Sequence, residues 1–303
     1  MSRRILFALL VLIASTALSA QESYRVGVLR GPTAVAFAPM IEEAVFIDET
    51  PVEVVAYPTP PNLIAAYLAG EVDAATLPSN AAAQLSGRGA PVEVAATFIW
   101  GVLYLVGPAD LQLDELSGPV HSIGRGASPD IVLRYILEEE GLADAVTVEY
   151  GYAQVELSQL MIAGRVRAGV LPEPFVTRVL AQNDSLGVVA DLQERFAAHA
   201  DSELPQTVLV ARPGDPTVNM LVDELSESVE WVLANPEASA SLVAGLGLGL
   251  DEQTALASLP RLNLRVEGAN ESEAALRRYL QILFAFEPAA VGGQLPPDGF
   301  YGR

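Results

Sequence analysis

Two arginines in the same local setting are the first residues here that could do chemistry. Arg30 precedes Gly31, and Arg125 precedes Gly126, 95 positions later; in the same register Thr33 is answered by Ser128. A guanidinium offers a planar fork of donors that fits a carboxylate or sulfonate bidentately. The pair could clamp one anion, or serve as surface ion-pair partners in a chain with 38 Asp and Glu against 17 basic residues. Pro32-Thr33, Ser79-Asn80 and Ser128 each follow a short apolar run, at points where a helix begins and backbone N–H groups are unpaired. There Thr33, Ser79, Asn80 and Ser128 could donate hydrogen bonds to a ligand, cap a helix, or do both. Trp100 and Tyr152 could stack on a planar ligand; Trp100 is equally suited to a core. Glu173, between Pro172 and Pro174, could accept hydrogen bonds from an amine or amide, or act as a first-turn helix acid.

The composition removes other chemistries. All 17 basic residues are arginine, so a lysine Schiff base and a P-loop lysine are excluded. There is no cysteine, hence no thiol nucleophile and no disulfide. His121 and His199 lack metal-ligand spacing, and no Gly-x-Ser-x-Gly elbow occurs. We therefore expect no catalytic residues, no metal and no cofactor. A net charge of −21 argues against nucleic acid and anionic membrane surfaces as partners.

The elements that must position these residues come in two similar runs. Residues 68–80 read LAGEVDAATLPSN and residues 162–174 read IAGRVRAGVLPEP; Ala69, Gly70, Val72, Ala74, Leu77 and Pro78 recur 94 positions on. Two blocks in the same order at nearly the same spacing, 95 and 94 positions, indicate a duplicated α/β unit. Strands are predicted at Tyr24–Leu29, Val52–Tyr57, Val72–Leu77 and Val92–Phe98, then again at His121–Gly124, Val146–Tyr150, Arg167–Leu171 and Val188–Ala190, with helices between them. Ser128-Pro129-Asp130 reads as a helix start, with a capping hydroxyl and an early acid. Such alternation implies mostly parallel sheets covered by helices. Gly101–Gly107 and Thr207–Arg212 break the rhythm; both are extended and apolar, as strands crossing between two lobes would be. From Pro216 onward the pattern is mainly helical, with Val218–Ala234 and Glu271–Phe286 as the longest runs, and this region is expected to return to the first lobe.

The first twenty residues have the form of a signal peptide: Arg3 and Arg4, an apolar run Ile5–Ile13, then small residues with cleavage after Ala17 or Ala20. With no cysteine to carry a lipid, the mature chain is expected to be a freely soluble exported monomer of about 280 residues, enough for two lobes.

In the order GVLRGPT, YLAGEVDAATLPSN, GVLYLVG, GRGASPD, LPEPFVT and GGQLPPDGFYG, the sequence resembles the solute-binding proteins of ABC importers. The group it is most similar to is the nitrate/sulfonate/taurine type, which includes binders of thiamine-pyrimidine precursors. The resemblance implies a type II periplasmic binding fold: two α/β lobes, each a mostly parallel sheet flanked by helices, joined by two crossing strands. It implies lobe 1 at 21–106 and 212–303, and lobe 2 at 107–211. It also implies a periplasmic location, a small organic ligand held between the lobes, and delivery to an ABC permease with its ATPase. In such a fold ligands lie beyond the C-terminal ends of strands. That would gather Pro32, Thr33, Ser79, Asn80, Trp100, Arg125, Ser128, Tyr152 and Glu173 around one cleft. The two arginines favour a sulfonate or carboxylate; Trp100, Tyr152 and Glu173 favour a heterocycle with N–H groups. An enzyme on the same fold and a periplasmic sensor are the alternatives.

Overall fold

The computed structural model describes residues 23–302, so the expected signal peptide and its expected cleavage positions lie outside the described residues. The chain opens with β1 (Tyr24–Leu29), the short helices α1 (Pro32–Val35) and α2 (Ala38–Glu42), and β2 (Phe46–Ile47). It continues through β3 (Thr50–Tyr57), α3 (Pro60–Ala69), β4 (Ala74–Pro78), α4 (Ser79–Gly87) and β5 (Glu93–Trp100). A second run follows: β6 (Leu103–Pro108), β7 (Gly118–His121), α5 (Ser128–Glu139), β8 (Val146–Glu149), α6 (Gln154–Ile162), β9 (Gly169–Pro172), α7 (Phe175–Gln182), β10 (Leu186–Asp191) and α8 (Leu192–Ala200). The remainder is β11 (Pro205–Ala211), α9 (Val218–Ala234), α10 (Pro236–Gly245), α11 (Glu252–Ser258), β12 (Leu264–Gly268) and α12 (Ala269–Phe286).

These strands make a seven-stranded sheet, β12-β5-β11-β4-β1-β3-β2, and a five-stranded sheet, β10-β6-β9-β7-β8. Within them the orders β3-β1-β4-β11-β5 and β8-β7-β9-β6-β10 are the same pattern written twice. β1 lies parallel to β3 and β4, as β7 does to β8 and β9. The fourth position in each is antiparallel to both neighbours: β11 to β4 and β5, β6 to β9 and β10. The sequence repeat is thus a repeated topology, and the molecule has the two-lobed fold expected.

The two extended segments have a more specific place than crossing. Each completes a sheet immediately after the chain has changed lobes. The passages themselves are short, at Gly101-Val102 and at residues 201–204. Sheet membership therefore changes a few residues before each expected boundary, at 106/107 and 211/212. An apolar extended run reads alike in sequence whether it joins two sheets or fills one. Gly101 has φ +83, and a Cβ there would lie 2.5 Å from Gln193 Oε1, so only glycine fits without displacement. The same Gln193 side chain, on α8, accepts from the N–H of Leu204 in the second passage (3.2 Å).

Local chemistry explains both ends of α3. Pro60 and Pro61 occupy the first turn of α3, and Gly70 closes it in the left-handed conformation, φ 76. β7 lies three residues earlier than predicted, starting at Gly118-Pro119. It pairs with β8 along its length but with β9 at His121 alone, so the missing N–H of Pro119 is tolerated. As expected, the C-terminal region returns to the larger lobe, where β12 pairs with β5. One apolar core lies under α1, α2, α9 and α10; another runs from α3 and α4 through α12 to α5 and α8, so it is shared by both lobes. Among the described residues no helix is long and apolar enough to cross a membrane.

Candidate functional site

The parallel strands end at Leu29, Tyr57, Pro78 and Trp100 in the larger lobe and at His121, Glu149, Pro172 and Asp191 in the smaller. All nine expected residues lie on these ends or on the turns just beyond them, where α/β sheets hold ligands. At the junction of the lobes, Ser79 is 1% exposed and donates to the carbonyl of Pro205 (2.6 Å). The next residue, Gln206, reaches the smaller lobe, where its Nε2 donates to Ser128 Oγ (3.4 Å). Ser128 Oγ is also bonded to the hydroxyl of Tyr279 on α12. Ser79 and Ser128, one from each half of the duplication, thus converge on residues 205–206.

Ser128 does not cap α5. Ala127 is the N-cap residue and Ser128 is the first residue inside the helix, with no capping bond from its side chain. The buried carboxylate of Asp130 instead holds the turn that precedes the helix, accepting from the N–H of Gly126 (2.7 Å). Asp130 also accepts from Arg134 Nε (3.1 Å) and the Tyr150 hydroxyl (2.6 Å). Burial, with the Asp130 bond added, pushes the Tyr150 phenol up to about 12, so it stays neutral. Its ring carries the Arg125 guanidinium, 4.6 Å from the centroid. Neither Arg125 nor Arg30 is ion-paired with a carboxylate among the described residues. That disposes of the surface-ion-pair alternative. Arg88, Arg165, Arg167, Arg178, Arg212 and Arg278 also lack a carboxylate partner among the described residues; what sets Arg30 and Arg125 apart is their place on matching turns of the two lobes.

Thr33 is buried and Asn80 is half-buried, and neither side chain makes a hydrogen bond among the described residues. Pro32 begins α1 after Gly31, whose φ of 91 makes the turn and whose N–H donates to Leu248 O (2.8 Å). Tyr152 is half-buried with its ring against His121, centroids 5.3 Å apart at 41°. His121 lies 3.5 Å from Glu149.

Two expected residues are occupied by the protein itself. Trp100 is 1% exposed, its indole N–H donates to Arg265 O (2.8 Å), and the Arg265 guanidinium lies 4.5 Å from the ring. It is a core tryptophan braced by β12, which corrects the stacking reading. Glu173, whose side chain is fully buried, accepts from the N–H and the hydroxyl of Thr177 (3.1 and 3.0 Å) and pairs with Arg261 from the larger lobe. Its carboxylate ties the lobes together instead of standing open to an amine. The residues that sequence reasoning missed are Gln206 and Tyr279. A glutamine in the otherwise apolar PQTVLVA strand was a signal; a tyrosine within a long amphipathic helix was not.

A cavity of about 620 Å³ lies elsewhere, lined by Glu93, Arg212, Asp215, Asp223 and Gly302 among others. It sits at the N-terminal end of β5, the opposite end of the sheet from these turns.

No protein-family model matches the chain, and no curated protein matches it. Among solved structures, an ABC transporter protein from Parabacteroides distasonis is 30% identical, covering 92% of this chain and 98% of that one, with a TM-score of 0.82. The periplasmic aliphatic sulphonate binding protein SsuA from Escherichia coli is 15% identical over 91% of this chain and 93% of its own, at 0.71. The alkanesulfonate-binding protein SsuA from Xanthomonas axonopodis pv. citri, bound to MOPS, is 16% identical over 92% and 96%, at 0.64. The last two show the shared fold, and the first shows kinship over the whole described chain: this protein belongs to the family of ABC-transporter solute-binding proteins.

Proposed function

We propose that this chain is the periplasmic receptor of an ABC importer, that it captures a small organic anion between its lobes, and that it hands the ligand to a permease driven by an ATPase. The observation that carries the ligand class is the pair Arg30 and Arg125, unpaired by any carboxylate among the described residues and placed on equivalent turns of the two lobes. A carboxylate or sulfonate would meet a planar donor fork from each side. The heterocycle reading loses support because Trp100 and Glu173 are engaged internally. In this proposal Pro32, Thr33, Asn80 and Tyr152 line the cleft with the arginines, while Ser79 and Ser128 form its floor. Residues 23–100 and 205–302 form one moving body and 103–204 the other; binding, not turnover, is the activity. A signal peptide at residues 1–20 would bring it to the periplasm as a soluble monomer.

The test is to purify the protein without refolding and identify small molecules released on denaturation by mass spectrometry. The released compound is expected to be anionic and chemically unchanged after incubation with the protein. Arg125→Gln is expected to weaken its binding about tenfold, the loss of a charge-assisted hydrogen bond. A neutral or cationic compound would end the anion reading, and conversion to a product would make the protein an enzyme.

A further inference from the structure

We infer that Gln206 reads a hydrogen-bond donor on the bound anion, so that the natural ligand carries an ammonium, amide N–H or hydroxyl group besides its acid group. The inference deepens the anion-receptor reading above and rests on it. β11 runs antiparallel between β4 and β5, so its first residues lie level with the ends of those strands. Pro205 stands opposite Trp100, and Thr207 opposite Pro78. Gln206, between them, therefore sits at the edge where the ligand turns begin. One N–H of its Nε2 is given to Ser128 in the other lobe. Its Oε1 is buried and has no hydrogen-bond partner among the described residues. The hydroxyl of Ser122, a residue 2% exposed at the end of β7, is unpartnered in the same way. Two other buried side-chain atoms are unpartnered among the described residues, Thr97 Oγ1 within β5 and His121 Nδ1 at the end of β7; Gln206, His121 and Ser122 are the ones at strand ends from which the ligand turns set out.

Buried polar atoms are rarely left unpaired, because desolvation without a compensating bond is unfavourable. An amide oxygen can only accept, so the group that completes Gln206 must be an N–H or an O–H; an alkyl terminus leaves it bare. If the side chain merely filled space between apolar neighbours in β11, a methionine of the same length would do so without the orphan.

Matched probes decide the matter. Ethanesulfonate, 2-hydroxyethanesulfonate and 2-aminoethanesulfonate share one anion and one chain length and differ in the terminal group; propanoate, 3-hydroxypropanoate and 3-aminopropanoate do the same for a carboxylate. Calorimetric titration of the full mature protein is expected to show the hydroxyl or amino member of a series binding about tenfold to a hundredfold tighter than the alkyl member. Gln206→Met should bring the series to within about threefold by weakening the donor-bearing members and sparing the alkyl one. Gln206→Glu keeps an acceptor on the same stem and should retain the preference for the amino member, which supplies a second reading if the methionine variant folds poorly. Equal binding across a series, or an unchanged ranking in Gln206→Met, overturns the role of Gln206 and leaves the anion reading standing. If no member of either series binds the wild-type protein, the anion reading falls and this inference falls with it.

Discussion

Replacing Arg261 with methionine should destabilise the folded protein by about 2–3 kcal/mol, because it strands the Glu173 carboxylate. Removing one partner of a fully buried ion pair costs about 3–5 kcal/mol. Two features lower that figure here. The Arg261 side chain is 31% exposed, so part of its charge is already screened by solvent. Glu173 also keeps the N–H and hydroxyl bonds from Thr177. In a protein of this size each kcal/mol moves the melting temperature by about 2–4 °C, giving a drop of about 4–12 °C. Thermal melts and urea unfolding of Arg261→Met, Glu173→Gln and the double variant would measure it. The double variant buries no charge and should recover at least about 1 kcal/mol relative to the sum of the single losses. A melting temperature for Arg261→Met within about 1 °C of wild type, or strict additivity of the two changes, would refute a buried pair that fastens the lobes.

Gly101→Ala must hold a side chain at φ +83 against Gln193, and should lower stability by about 1–3 kcal/mol in urea unfolding. Trp100→Phe keeps most of the ring but leaves Arg265 O without its donor; a loss of about 1–3 kcal/mol in melts with unchanged anion affinity is expected. Asp251 caps α11, and the N–H and hydroxyl of Thr254 hold its carboxyl below its ordinary value of 3.8. Its capping contribution, about 1 kcal/mol, is therefore complete above that value and fades as pH falls through the lower folded value. Asp251→Ala should match that loss at neutral pH and flatten the acid limb of a urea-derived stability profile.

The duplicated topology was legible because two independent blocks, around Arg30-Gly31 and around Ala69–Pro78, repeat in order at nearly the same spacing, and parallel α/β units announce themselves by alternation. Helix α9 was read to its observed ends, Val218 and Ala234, since Pro216 and Pro236 bound it. Ser128 was misread as a cap: a hydroxyl before Pro-Asp looks like one, but the helix takes Ser128 in as its first residue after Ala127. Trp100 and Glu173 show the limit. Both sit where a ligand residue would sit in the chain, and what occupies them, Arg265 and Arg261, lies some 90 to 165 positions away, beyond any local pattern. Helix α8 went unread because the segment from Leu192 to Ala200 carries mixed polarity, and the capping carboxylate of Asp191 was the one cue available.

Gln193 fills the space left by Gly101 and bonds to Leu204, so one side chain fastens two passages about a hundred residues apart in the chain. Mechanically this makes a single axle from two strips of backbone. A strip on its own can twist or slide as well as bend; two strips pinned to the same plate keep the bend and lose the rest. Lobe movement would then follow one arc, and the turns that face each other across the cleft would meet in the same alignment at every closure. An insertion in either passage would throw the other out of line.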